Sequence, residues 1–212
     1  MADVASARGI GNRGSLSRSG RLADLRPSHL MSLPVLLVID LQRGAFDGVR
    51  CPVIDRPAEL VRNARALIDA ARAASAPVVF IQHCDQPGEA FEENTPHWPF
   101  HEELSPLPDE PVIRKRASSA FENTDLAATL KQLHAGELIL CGLQSEFCVA
   151  NTAKSALDHG YRVRIAQDAH GTWPSRTQTS AEISAAVNAE LAARGALIEP
   201  TTRLAAALRN RA

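Results

Sequence analysis

The sequence predicts an α/β fold, a three-layer, doubly wound sheet of six parallel strands, and three observations point to it. Short apolar runs alternate with amphipathic stretches from residue 34 to the end of the chain. The runs are nearly continuous in Val, Ile and Leu, as strands covered on both faces are. Polar residues with chemical potential stand at the ends of three of these runs, the sheet edge at which open α/β folds bind ligands.

The first strand is expected at 34–40 and ends in Asp40. A helix over 57–74 follows, burying Leu60, Val61, Ala64, Leu67, Ile68 and Ala71 at helical spacing. The run Pro77-Val78-Val79-Phe80-Ile81-Gln82 is the second strand. Residues 83–110 are rich in Pro, Glu and His, with aromatics Phe91, Trp98 and Phe100 and no periodicity. A loop of that length in a compact domain usually covers or builds a site. A third strand over 111–115 delivers Lys115, and a helix over 124–134 follows, capped by Thr124. The strand 138–142 leads into a helix over 146–159, closed by Gly160. A strand at 162–167, a helix at 178–194 closed by Gly195, a strand at 196–199 and a helix at 202–209 complete the series.

With 212 residues, one domain is expected, large enough to fold without disulfides or metals. A net charge of −1 offers no general attraction to nucleic acid or membrane, and no apolar run reaches the ~18 residues of a spanning helix. The four cysteines (51, 84, 141, 148) form no C-x-x-C pair, which fits a reducing, cytoplasmic setting. Residues 1–32 differ from the rest. They carry Arg8, Arg13, Arg18, Arg21 and Arg26 against only Asp3 and Asp24, and lack the apolar core of a secretory signal. We read them as a disordered extension, or as the product of an upstream start with the working chain beginning at Met31; a transit-type leader is the alternative. The domain is expected over 33–212.

The segment Gly142-Leu143-Gln144-Ser145-Glu146-Phe147-Cys148-Val149 follows a buried strand and opens a helix, with Ser145 as its N-cap. A thiol in that first turn feels the positive end of the helix dipole and is expected to have a lowered pKa. Taken alone, an unpaired cysteine is most often a small buried hydrophobe, and a lone Asp40 or Lys115 is most often a turn residue or a solvated charge. Together, at the C-terminal ends of three parallel strands, they converge on one edge. Lysine is rare here, with only Lys115, Lys131 and Lys154 among 23 basic residues, so a lysine at 115 suggests that a deprotonatable amine is needed there.

Asp40-x-Gln42, Lys115 with Ser119-Ala120-Phe121, Gly142…Cys148-Val149 and Asp168-Ala169-His170 together resemble the isochorismatase-like cysteine hydrolase superfamily, in its Asp-Lys-Cys amidohydrolase branch. The resemblance runs from about Leu33 to the C-terminus. It implies the strand order 3-2-1-4-5-6 and a triad of Asp40 as base, Lys115 between the two partners, and Cys148 as nucleophile. It also implies an oxyanion hole from the backbone N–H groups of Gln144 and Cys148, with a cis peptide at Leu143–Gln144. The expected reaction is hydrolysis of a C–N bond in a small amide, lactam, carbamoyl or ureido compound through a thioester. A catalytically silent redox-responsive or ligand-binding member of the same fold is the alternative. A pure dinucleotide-binding protein is disfavoured, because no G-x-G-x-x-G turn follows the first strand.

Candidate substrate contacts are Gln42, Phe46, His83, Trp98, Phe121 and Phe147, with core packing an equal explanation for the phenylalanines. The histidines His83, His97 and His101 invite a metal reading. The metal-dependent relatives carry Asp-x-His after the second strand, whereas this chain has Gln82-His83-Cys84-Asp85. No metal and no cofactor are therefore expected. The expected partners are a small-molecule substrate and a second copy of the chain in a homodimer or larger homo-oligomer, with no nucleic acid and no membrane.

Overall fold

A computed structural model describes residues 34–210 of the chain; the expectation for residues 1–32 lies outside them. Six strands form one parallel sheet: β1 (Val35–Ile39), β2 (Val78–His83), β3 (Val112–Lys115), β4 (Glu137–Leu143), β5 (Arg162–Gly171) and β6 (Leu197–Glu199). Their order is β3-β2-β1-β4-β5-β6. Five helices connect or follow them: α1 (Pro57–Ala73), α2 (Leu126–Gln132), α3 (Ala150–Asp158), α4 (Ser180–Ala193) and α5 (Thr201–Arg209). The alternation of strand and helix read from the sequence is the alternation observed.

The pleat divides the core. Leu36 and Val38 of β1 join Val78, Phe80, Ile139 and Cys141 against α1 and α5, while Val35, Leu37 and Ile39 face the other way. There they meet Val79, Ile81, Leu138 and Leu140, together with Leu126 of α2, Ala153 of α3 and Leu191 of α4. Successive strand residues point to opposite faces, so a run that is apolar at every position serves two cores. All five residues of β1 are buried, as a central strand of a three-layer fold must be.

Several boundaries differ from expectation for local reasons. The helix expected at 146–159 begins instead as a π-turn over Ser145–Val149 and becomes α-helical at Ala150. Ser145 is not its N-cap; Gln144 occupies that position without a side-chain cap bond. Strand β5 runs on to Gly171, four residues past the expected end, through a register shift against β4 between Leu140 and Gly142. Helix α4 starts with a capping box in which Thr179 and Glu182 exchange hydrogen bonds. In the long loop, a short 3-10 turn spans Glu102–Leu104, and Phe100 forms an isolated bridge with Gln42, tying the loop to the end of β1.

Candidate active site

Parallel pairing brings the ends of the strands together. Ile39 is level with Ile81 of β2 and Gly142 of β4, and His83 is level with Lys115 on β3. Asp40 stands one residue past β1, where its N–H donates to the Ile81 carbonyl at 3.0 Å. Its φ of 53° lies in the left-handed region, tolerated by Asp better than by most residues and still costing on the order of 1 kcal/mol or more. Opposite it, Gly142 has φ 127°, and a Cβ there would sit 1.9 Å from the Ile39 carbonyl oxygen. No other residue lets β1 and β4 approach this closely. The next peptide, Leu143–Gln144, is cis, as the resemblance implied.

Lys115 links the three strand ends. Its Nζ lies 2.8 Å from Asp40 Oδ2, 3.1 Å from Cys148 Sγ, 3.2 Å from the Ala117 carbonyl and 2.8 Å from His83 Nδ1. The side chains of Lys115 and Asp40 are essentially excluded from solvent. Burial alone would lower the Lys115 pKa, but the negative charge of Asp40 and the Cys148 sulfur outweigh it and the pKa is raised. The amine is therefore an ammonium held by a carboxylate, and the expectation of a readily deprotonated lysine does not hold.

Cys148 is likewise corrected. Burial, then the charge of Asp40, push its thiol up to about 12 against the pull of Lys115. The helix end does not offset this: the first turn is a π-turn, and ionising the largely desolvated thiol would place a second anion beside the Asp40–Lys115 pair. One Asp40 oxygen, Oδ1, is buried without a hydrogen-bond partner. It is a free acceptor close to a thiol that holds its proton.

His83 is fixed at both nitrogens. Nδ1 faces the Lys115 ammonium, so it accepts, and Nε2 donates to Asp85 Oδ1 at 2.9 Å. Asp85 Oδ2 in turn accepts from the Phe91 N–H. Burial would raise the Asp85 pKa, but these hydrogen bonds hold it below the usual carboxylate range. The ligand atoms of Asp40, His83 and Cys148 fall within 4.8 Å of one another, a spacing that suits a metal ion. The Lys115 ammonium, however, contacts all three and occupies the position a cation would take. His97 pairs with Asp47 at 2.5 Å, and His101 caps the 3-10 turn and packs on Phe46. The three histidines do not converge.

A cleft of about 460 Å³ opens above Cys148, and Pro52, Ala90, Phe91, Leu143, Phe147 and Trp173 provide most of its walls. Of the six residues expected to contact substrate, His83 and Phe147 line it. The other four do not. Gln42 is buried and shapes the wall from behind, donating to the His83 and Trp98 carbonyls and accepting from the His83 N–H. Trp98 donates to the His83 carbonyl while the Arg114 guanidinium lies 4.7 Å above its ring. Phe46 packs beside His101, and Phe121 stacks on His159 near α3. Asp85, Phe91, Leu143 and Trp173 were missed as lining residues. The alternation of His83, the last residue of β2, with Asp85 just beyond it is the one signal that would have found Asp85.

Behind the π-turn lies a buried polar network. Ser145 Oγ bonds His170 Nδ1 at 2.8 Å and Ser184 Oγ at 3.0 Å, and His170 Nε2 donates to Asn188 Oδ1 at 3.0 Å. It ties the segment that carries Cys148 to β5 and α4. Asp168, two residues before His170, accepts from the N–H and hydroxyl of Thr201 and so anchors α5.

The isochorismatase domain model matches residues 34–209. A streptothricin hydrolase from Streptomyces noursei is 37% identical over 185 residues, covering 84% of this chain and 72% of that protein. A second streptothricin hydrolase from the same organism is also 37% identical, and this chain spans 63% of its length. Among solved structures, an isochorismatase from Pseudomonas putida KT2440 superposes with a TM-score of 0.75 at 33% identity, over 82% of this chain and 90% of that one.

Proposed function

The chain belongs to the isochorismatase-like superfamily, and from that premise we propose that it is a cysteine hydrolase that cleaves a C–N bond of a small amide, lactam, carbamoyl or ureido compound. The observation that carries this reading is the contact of one buried ammonium, Lys115, with both the Asp40 carboxylate and the Cys148 sulfur, beside an unpartnered carboxylate oxygen. The relatives named for hydrolysis of streptothricin add weight to hydrolysis.

In this mechanism the thiol proton passes to Asp40 as the sulfur attacks the carbonyl carbon. The transfer keeps the net charge of the dry site constant, which is why a thiol that resists free ionisation can still serve as nucleophile. The carbonyl oxygen becomes an oxyanion that the Gln144 and Cys148 N–H groups are proposed to receive, each donor contributing on the order of 3 kcal/mol. The C–N bond then breaks, and Asp40 returns its proton to the departing nitrogen. A water attacks the thioester, giving one proton to Asp40, and the C–S bond breaks as Asp40 reprotonates the sulfur. Lys115, in contact with both the Asp40 carboxylate and the Cys148 sulfur, holds the two partners in line.

Of the alternative, a catalytically silent redox-responsive or ligand-binding member of the fold, the redox form needs a thiolate at rest, and the raised Cys148 pKa disfavours that form. The deciding experiment is a panel of amides, lactams and ureides with detection of ammonia or amine. Release by the wild type and none by Cys148→Ala is the expected result. A panel on which both proteins are inert would defeat the proposal.

A further inference from the structure

The cleft is unusual in its charges. Its described lining contains two carboxylates, Asp40 and Asp85, and neither Lys nor Arg. Lys115 beneath it neutralises Asp40 at 2.8 Å. Asp85 has no Lys or Arg in direct contact: its partners are the His83 ring, whose other nitrogen faces Lys115, and the Phe91 N–H. The nearby arginines are engaged elsewhere, Arg50 with Glu92, Arg116 with Glu93 and Arg114 over Trp98. Two carboxylates therefore share one ammonium, Lys115, at a cleft whose walls are otherwise largely apolar, through Pro52, Ala90, Phe91, Leu143, Phe147 and Trp173.

We propose that Asp85 is a specificity determinant that disfavours carboxylate-bearing substrates, so that amides or lactams with an uncharged apolar body are preferred to their carboxylate counterparts. The inference rests on the proposed hydrolysis and narrows its substrate class. The apolar walls receive the body of the molecule, and the polar end at Cys148 receives its carbonyl. Both Asp85 oxygens already accept hydrogen bonds, so the residue acts through its charge rather than as a contact for the substrate. An anionic ligand in the cleft meets that charge, and the one ammonium at its base, Lys115, is already paired with Asp40.

Two probes of nearly identical shape separate charge from size: 2-(4-nitrophenyl)acetamide and 4-(carbamoylmethyl)benzoate. Binding to Cys148→Ala, measured by calorimetry, is independent of turnover, and kcat/KM on the wild type is measured in parallel. The nitro compound is expected to bind at least about tenfold more tightly than the carboxylate. Asp85→Asn, in the Cys148→Ala background, is expected to bring that ratio close to one. Ser118→Lys, which adds a cation to the cleft lining, is expected to favour the carboxylate and guards against misfolding of the Asp85 variant. Selective binding without wild-type turnover would leave the inference standing and remove the hydrolase reading. Equal or tighter binding of the carboxylate by the parent Cys148→Ala protein, a ratio unmoved by Asp85→Asn, or no binding of the nitro compound at millimolar concentration would each overturn it.

Discussion

Asp40 raises the Cys148 pKa while Lys115 lowers it, so the two partners can be separated by substitution. Asp40→Asn leaves the Lys115 ammonium facing the sulfur without a competing anion. We expect Cys148 in this variant to react with iodoacetamide about tenfold faster at pH 7.5, one pKa unit being a factor of ten in thiolate. Hydrolysis should nonetheless disappear, because nothing remains to carry the proton to the leaving nitrogen. Labelling that slows together with turnover would mean that Asp40 generates the resting thiolate. Lys115→Arg keeps the charge but replaces a compact ammonium with a planar fork that cannot meet Asp40, Cys148 and His83 from one atom. A loss of about 10²-fold in kcat is expected, and steady-state kinetics on any substrate found above would check it. Exhaustive dialysis against EDTA should leave the rate unchanged, since Lys115 holds the centre of the Asp40, His83 and Cys148 group; activity lost on dialysis and restored by zinc would contradict this.

At the scale of elements, the segment between β4 and α3 depends on glycine at one position. Gly142→Ala places a methyl 1.9 Å from the backbone oxygen of Ile39 at a φ of 127°. Either β4 must move from β1 or the peptide after it must rotate, and each displaces Cys148 from Asp40. We expect destabilisation of about 3 kcal/mol together with loss of activity. Gly160, at the end of α3, also has a positive φ of 84° but nothing within 4 Å of an added Cβ. Gly160→Ala should cost only about 1 kcal/mol, the conformational penalty alone. Urea denaturation of the two variants makes the comparison, and equal losses would show that the β1–β4 approach is not what requires glycine.

For the whole molecule, the buried His170 network links stability to pH. Burial pushes the His170 pKa below its ordinary value of 6.5, outweighing the Asn188 hydrogen bond. In the unfolded chain the ring takes up a proton as pH falls through about 6.5, while the folded ring stays neutral. This contribution to stability is therefore complete above about 6.5 and is lost as pH falls toward the folded value. The described carboxylates with lowered pKa have ordinary values of 3.8 to 4.5, so their losses come at lower pH. The urea midpoint should fall between pH 6.5 and 5, with a shallower slope in His170→Asn. A wild-type midpoint flat across that window would remove His170 from the account.

The fold class, the six strands and the convergence of Asp40, Lys115 and Cys148 were legible in the sequence because they follow from local pattern. An apolar run of strand length followed by a polar residue reports both a buried strand and what it delivers to the sheet edge. What the cleft is made of was not legible in the same way. Gln42, Phe46, Trp98 and Phe121 look like site residues by type and neighbourhood, yet loop packing turns them toward other partners. Leu143 and Trp173 look ordinary and line the cleft. The state of the cysteine was decided by tertiary structure alone. Helix position argued for a lowered pKa, but exclusion of water and the charge of Asp40 push it up, because desolvation and a charge close by in a dry site outweigh a helix-end dipole.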